Sequence, residues 1–230
     1  SIQLDESLPT GDTLKGELNF SGINGHPDFG DGIQANHLWN LIQSRAEVQG
    51  QLNVNGKKLT FEGSGYHDHN VGDEPMDRSF SDWYWGRFHF GNKSLVYYVM
   101  NKKDEQDYRA WIFDHSGRME AEFSEITYEA FRTNFFGLKS ARKLNLSGKD
   151  MQATIQLSRV LDNGPFYQRF HSELLLRQGD ELQSAHGISE YIHPARIKKK
   201  LFWPLVKMRI LRRESPHWVQ KSKMLYRWTW

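Results

Sequence analysis

The chain has 230 residues and contains no cysteine. It can therefore form no disulfide, and it offers no thiolate as a nucleophile or metal ligand. It also has no run of about 18 apolar residues, so the sequence predicts no membrane-spanning helix. The Gly-x-Gly-x-x-Gly, Gly-x-Ser-x-Gly and His-Glu-x-x-His patterns are missing as well, which argues against dinucleotide binding, serine-hydrolase chemistry and zinc-protease chemistry.

Aromatic residues are abundant, with 8 Trp, 9 Tyr and 14 Phe, and such residues favour strands. Residues 46–63 alternate in polarity on both sides of Asn55-Gly56, which predicts a β-hairpin. Similar segments, separated by turn signals, lie at 83–90, 94–101, 108–114, 118–128, 142–147, 151–159, 167–177 and 181–191. This spacing predicts an all-β, antiparallel barrel or sandwich. Glycine-rich residues 29–42 are predicted to form a loop with a short helical turn.

The charges are distributed unevenly. Residues 196–230 contain eleven Lys or Arg and one acid, whereas the rest of the chain holds 19 basic and 27 acidic residues. Pro204 and Pro216 interrupt this basic, aromatic tail, so we predict no long continuous helix there. The tail suits an anionic membrane surface, and it equally suits packing against the acidic body of its own fold. We predict no nucleic-acid partner, because no recognition motif accompanies the charge.

The most informative segment contains Tyr66-His67-Asp68-His69-Asn70 and, shortly afterwards, Asp82-Trp83-Tyr84-Trp85. Ionisable groups among large apolar rings are typical of a reaction site that excludes water. If the first run is extended, His67 and His69 share one face and Asp68 lies on the other. In the second run, the two tryptophans share a face, and indole rings can stabilise a carbocation.

Three interpretations of the two histidines remain open. They could be structural residues that are hydrogen-bonded inside a barrel. They could ligate a metal, with His89, His115 or His186 as third ligand, although no spacing selects one of these. Alternatively, a histidine and a carboxylic acid, Asp68 or Asp82, could transfer protons in a dry pocket, where an acid holds its proton more tightly than in water. The last interpretation predicts a site without a metal.

The run Gly65-Tyr66-His67-Asp68-His69-Asn70-x-Gly72, followed by Trp-Tyr-Trp-Gly, resembles the carotenoid 1,2-hydratase (hydroxyneurosporene synthase) and AttH-like group, which includes cofactor-independent cyclases. The run Gly187-Ile188-Ser189-Glu190-Tyr191 and the basic tail are also similar to that group. The resemblance covers about residues 45–210. Val71 departs from the tryptophan that is usual in the family, which predicts a different pocket wall.

The resemblance implies two lipocalin-like β-barrels in tandem, the first of them incomplete, minimal or completed by a segment outside this sequence. For the hydratases of this group, the resemblance further implies that an acid protonates a terminal isoprenoid double bond, that water then adds, and that no cofactor is needed. Asp68 or Asp82 is the predicted acid, His67 or His69 its partner or the base, and Trp83 or Trp85 the cation stabiliser. The predicted substrate-binding residues are Tyr66, Asn70, Trp83, Trp85, Tyr97 and Trp111.

Three functions follow as alternatives. The first is a hydratase of an acyclic isoprenoid or carotenoid, and the second is a cyclase or pericyclase of Diels–Alderase type acting on a polyene or polyketide. The third is a non-catalytic lipid carrier. Each predicts a hydrophobic small molecule as partner. We expect a lipocalin-like unit at 1–75, a barrel at 76–195 and a tail at 196–230, in a cytoplasmic protein whose tail contacts the inner face of the membrane.

Overall fold

The computed structural model describes residues 1–22, 37–102, 106–210, 212 and 214–227. These residues form a four-stranded sheet, a nine-stranded sheet and a small two-stranded ribbon, all antiparallel. The predicted all-β, antiparallel fold class is therefore confirmed. The proposed division at 75 and 195 stays a prediction.

The first sheet has the order β1-β2-β3-β4, with β1 Ile2–Ser7, β2 Thr13–Gly22, β3 His37–Val54 and β4 Lys57–Gly72. The predicted hairpin is the β3–β4 pair, and its turn residues Asn55 and Gly56 have φ values of 53° and 86°. Two positive φ values are what a tight two-residue hairpin turn requires.

One strand prediction was wrong at the start of β3. Residues 37–42 were predicted to be loop, but they pair with β4 and extend the hairpin by several residues. The physical reason is burial. Trp39 and Leu41, two positions apart, lie on the same face of the strand and pack against the second sheet. The rest of that predicted loop, 29–36, lies outside the described residues.

The second sheet has the order β8-β7-β6-β5-β15-β14-β13-β12-β9. Its strands are β5 Asp82–Phe90, β6 Lys93–Asn101, β7 Gln106–Phe113, β8 Met119–Glu122, β9 Glu125–Glu129, β12 Lys143–Ser147, β13 Met151–Asn163, β14 Tyr167–Gln178 and β15 Glu181–Ile192. The ribbon consists of β10 Arg132–Thr133 and β11 Lys139–Ser140. The predicted strand 118–128 is split into β8 and β9, which form the two edges of the sheet. Because only Phe123 and Ser124 separate them along the chain, the sheet curls until its edges come close together.

Strand β5 divides the interior into two clusters. Tyr84 and Phe88 point into the curled nine-stranded sheet and join its large apolar core. Trp83 and Trp85, on the other face of β5, pack against a second cluster that contains Trp39 of β3 and Tyr98 of β6. The first sheet thus covers the outside of the second sheet, and the second cluster lies between them.

The remaining described residues form short helices. Helix α1, Met76–Ser79, connects the sheets, and after β15 come 3-10 helices at Pro194–Lys198, Lys200–Phe202 and Trp218–Lys221, together with α2 Trp203–Arg209 and α3 Lys223–Arg227. The prediction of a tail without a long helix is confirmed. In the described part of the chain, no helix has both the length and the apolar character needed to cross a bilayer.

Candidate active site

The motif of β4 alternates across the strand as predicted. Tyr66 and Asp68 are partly buried and face the second sheet, whereas His67 and His69 are exposed on the other face. The structure does not bring either histidine to Asp68, because neighbouring residues of a strand point to opposite sides. The predicted role of His67 or His69 as proton partner of Asp68 therefore has no support in the geometry.

Asp68 is held instead by two aromatic donors. The indole Nε1 of Trp39 donates to Asp68 Oδ2 at 2.8 Å, and the Tyr66 hydroxyl donates to the same oxygen at 3.0 Å. Trp85 Nε1 in turn donates to the Tyr66 hydroxyl at 3.2 Å. Burial, followed by the charge of Asp68, raises the pKa of Tyr66, so that its phenol stays protonated and continues to donate.

A cavity of about 310 Å³ opens beside this carboxyl group. Its wall is mainly aromatic. Two of the rings, Trp39 and Tyr98, stack with their centroids 4.9 Å apart and their planes only 7° apart. The full lining consists of Trp39, Tyr66, Asp68, Asn70, Trp83, Trp85, Arg87, Tyr98 and Glu190. Four predicted substrate-binding residues, Tyr66, Asn70, Trp83 and Trp85, are among them.

Two predicted substrate-binding residues lie elsewhere. Tyr97 is fully buried in the core of the nine-stranded sheet, and its neighbour Tyr98 lines the cavity in its place. Strand β6 is buried on both faces, so polarity along the sequence did not reveal which tyrosine faces the site. Trp111 lies behind Trp39, with ring centroids 6.0 Å apart, and supports the wall from the far side.

Asp82 does not join the Asp68 group. It lies on the face of β5 shared with Tyr84, and it accepts a hydrogen bond from Asn101 Nδ2 at 2.7 Å. Its charge also contributes to raising the pKa of Tyr191 and of Tyr128, behind the larger effect of burial, so it belongs to a tyrosine-rich region on the far side of β5. The two aspartates that the sequence left as alternatives therefore lie on opposite sides of β5, Asp68 in the first sheet and Asp82 on the far face of the second.

Arg87 is one of two charged residues at the end of the cavity. Its guanidinium lies 5.5 Å from the centre of the Tyr66 ring, and its Nη1 is 3.0 Å from His89 Nε2. Because arginine can only donate, His89 Nε2 accepts, and its Nδ1–H donates to Ser94 Oγ at 2.8 Å. Burial, then the charges of Arg87 and Arg45, lower the pKa of His89 to about 4, which keeps the ring neutral.

Glu190 of β15 is, with Asp68 and Arg87, one of three charged residues of the lining. Its Oε1 accepts hydrogen bonds from the Tyr167 hydroxyl at 2.7 Å and from Arg169 Nε at 2.9 Å. Glu190 pairs with Trp85 across the β5–β15 ladder, which brings it to the Asp68 side of the sheet. Burial lowers the pKa of Arg87, and the negative charges of Asp68 and Glu190 both act against that effect.

Some polar atoms of the site are buried without a partner among the described residues. These are the Tyr98 hydroxyl, Trp83 Nε1 and, next to Trp83, the Nε2 of His37. Buried polar atoms in native proteins almost always have a partner. None of these atoms is exposed at the cavity surface, so a guest could pair with them only after neighbouring side chains move.

The family assignment follows from a comparison of the whole chain. The model of the family described as carotenoid hydratase CrtC matches residues 2–219. The chain belongs to the carotenoid hydratase family. The resemblance inferred from the His-Asp-His-Asn motif is thereby confirmed.

Among relatives of this family member, the hydroxyneurosporene dehydrogenase of Chlorobaculum tepidum is 33% identical over 186 residues, which are 76% of this chain and 49% of that protein. The quinolone epoxide rearrangement protein asqO of Emericella nidulans is 39% identical over 71 residues, which are 30% of this chain and 20% of that protein. The chain thus spans about half the length of the first relative. A solved AttH-type structure from Nitrosomonas europaea superposes with a TM-score of 0.57 at 12% identity, covering 84% of this chain and 68% of that one. This likeness confirms the lipocalin-like fold.

Two further expectations concern the exposed face of β4. In the described part of this family member, no group of three or more His, Cys, Asp or Glu side chains is placed to hold a metal ion, so His67 and His69 have no third ligand there. Val71 is 47% exposed on the same face as the histidines. It does not line the Asp68 cavity, and the predicted change of the pocket wall at this position is not seen.

Proposed function

We propose that the Asp68 cavity is the acid site of a cofactor-independent hydratase, which adds water to a terminal double bond of an acyclic isoprenoid or carotenoid. One observation carries the proposal: a carboxyl group fixed by Trp39 and Tyr66 at the wall of a cavity lined by indole rings. Membership of the carotenoid hydratase family supports the substrate class.

The geometry suits proton delivery to carbon. Both hydrogen bonds reach Asp68 Oδ2, so Oδ1 is the oxygen left to carry the proton and meet the substrate. Transfer of that proton to the inner, less substituted carbon of the terminal alkene forms a C–H bond from the π electrons and leaves a tertiary cation on the outer carbon. Trp83 and Trp85 present indole rings to the same cavity, where cation–π attraction of about 2 kcal/mol each can stabilise that cation.

The size of the cavity indicates how a long substrate would bind. About 310 Å³ is at the lower limit for small-molecule sites. A forty-carbon polyene cannot be enclosed in such a volume, so only its terminal unit would enter. The rest of the polyene would extend past the aromatic rim of the cavity, and the reaction would be confined to the end of the substrate.

The experiment is a turnover assay in water labelled with the heavy oxygen isotope. The protein is incubated with neurosporene or lycopene in detergent, and the extracted lipids are analysed by mass spectrometry. The proposal predicts a product heavier by one labelled water, which is absent with Asp68→Asn. Recovery of unaltered carotenoid by the folded protein would contradict the proposal for these substrates and would favour a carrier.

A second candidate is a cyclase or rearrangement enzyme that uses the same acid. The similarity to asqO and the Arg87 guanidinium in the cavity lining favour it, since a hydrocarbon substrate makes no demand for that positive charge. Asp68 would then protonate an oxygen atom rather than carbon. The same mass spectra separate the two functions, because cyclisation or rearrangement gives an isomer of unchanged mass.

We also propose that the tail brings the protein to a membrane that dissolves such substrates. Part of the tail is docked on the fold: Arg196 Nε donates to the Pro165 carbonyl at 2.6 Å, and Lys198 pairs with Asp77 at 2.5 Å. Leu201 and Trp203 remain 80% and 48% exposed beside the Lys198–Lys200 run. Exposed apolar side chains next to lysines suit an anionic bilayer surface.

A further inference from the structure

The hydration reaction needs a second proton transfer that Asp68 does not provide. When water attacks the tertiary cation, its oxygen forms a C–O bond and one of its protons must leave. A base positioned in the cavity can accept that proton and typically contributes about 100-fold to 10,000-fold in rate. The sequence suggested His67 or His69, but both are on the outer face of β4.

Glu190 has the surroundings that such a base requires. It lines the same cavity as Asp68, and its side chain is only 20% exposed. Tyr167 and Arg169 both donate to Oε1, which fixes the carboxylate and leaves Oε2 as the oxygen available to a water molecule. A base held in one rotamer by its own hydrogen bonds is preorganised for its reaction.

The two carboxyl groups of the cavity differ in their hydrogen-bond partners. Arg169 forms an ion pair with Glu190 at 2.9 Å, which places a fixed positive charge beside that carboxylate. Asp68 receives its two hydrogen bonds from neutral groups, an indole and a phenol, while Arg87 attracts Asp68 and Glu190 alike. Two carboxyl groups in one cavity with different surroundings are a recurrent arrangement for acid–base pairs.

We propose that Glu190 is the catalytic base of the hydration, and this inference rests on the proposed function. Asp68 Oδ1 gives its proton to the inner, less substituted alkene carbon, and the tertiary cation forms on the outer carbon. Water bound near Glu190 Oε2 then donates an oxygen lone pair to the cation while its proton passes to Oε2. Glu190 ends protonated and Asp68 ionised, and exchange with solvent restores both groups. No oxidant, reductant or cofactor enters the balance.

The test separates the two proton transfers by running the reaction in deuterated water. Asp68 then carries deuterium, and a cation that loses a proton instead of gaining water returns to alkene that has incorporated deuterium. With Glu190→Gln, we expect hydration to fall by about 100-fold or more, while deuterium still enters the recovered alkene. The ratio of exchange to hydration therefore rises well above that of the wild type.

Matched variants make the result decisive. Asp162→Asn removes the other carboxylate paired with Arg169, at 3.6 Å, and should leave the exchange ratio unchanged. Glu190→Asp keeps a carboxylate and should recover part of the hydration lost in Glu190→Gln. Full hydration by Glu190→Gln, or equal loss of hydration and exchange in a folded variant, would overturn the role of Glu190. Wild-type protein that neither hydrates nor exchanges would instead contradict the proposed function itself.

Discussion

His89 should make the stability of the protein depend on pH in a defined window. The ring is neutral in the fold because burial, then Arg87 and Arg45, lower its pKa from 6.5 to about 4. Above pH 6.5 the residue is neutral in both the folded and the unfolded state and contributes nothing. As the pH falls from 6.5 to about 4, the unfolded chain binds a proton that the folded protein does not, so stability is lost.

The size of this effect follows from the shift. At 1.36 kcal/mol per pH unit, the full difference is about 3 kcal/mol, and about 2 kcal/mol of it is expressed by pH 5. Solvent screening of this partly buried ring makes these values upper bounds. His89→Gln cannot titrate, so the wild type should lose up to about 2 kcal/mol more than the variant between pH 7.5 and pH 5.

The assay is urea unfolding of wild type and His89→Gln at several pH values in that range. Other titrating groups contribute equally to both proteins, so the difference isolates His89. A difference between the two proteins that stays constant with pH would refute the buried, arginine-facing environment deduced for this ring.

Further predictions concern packing, the motif and the tail. Tyr66→Phe removes the 3.0 Å donor to Asp68 and the acceptor of Trp85, and urea unfolding should show a loss of about 1–3 kcal/mol; no loss would contradict the network. Gly86→Ala should destabilise by a similar amount, because its Cβ would come within 2.4 Å of the Tyr97 ring, and an unchanged melting temperature would argue against that contact. His67→Gln and His69→Gln should retain turnover within about twofold, as surface changes normally do, whereas loss of turnover would return these histidines to the site. Replacement of Leu201 and Trp203 by serine should weaken cosedimentation with anionic vesicles by about tenfold, while Leu175→Ser, a change at another exposed leucine, should not; equal binding by all variants would exclude the tail surface.

The sequence was most informative where alternation along a strand allows only one assignment of the side chains to its two faces. In β4, period two alone placed Asp68 on the face opposite His67 and His69. In β6 both faces are buried, and nothing in the sequence distinguished Tyr97 from Tyr98. The sequence also could not show whether Asp68 and Asp82 belong to one site, because that depends on which face of β5 meets the first sheet.

Residues that approach the site from distant strands could not be predicted from local pattern. Trp39 reaches Asp68 from a segment predicted to be loop, and its strand is fixed by tertiary packing against Tyr98. Glu190 and Arg87 enter through the β5–β15 pairing, which joins segments about a hundred residues apart. A pairing of this kind is decided by the closed topology of the sheet and leaves no signal in either segment alone.

The most direct test of the central claim is a comparison of turnover by Asp68→Asn and Asp82→Asn with an acyclic carotenoid. In the Asp68→Asn variant, the amide oxygen of the new side chain can still accept from Trp39 and Tyr66, so the fold is retained while the acidic proton is lost. The account predicts that Asp68→Asn lowers hydration by at least about 100-fold and that Asp82→Asn, on the far face of β5, keeps most of it. Full activity in Asp68→Asn, or loss confined to Asp82→Asn, would contradict it.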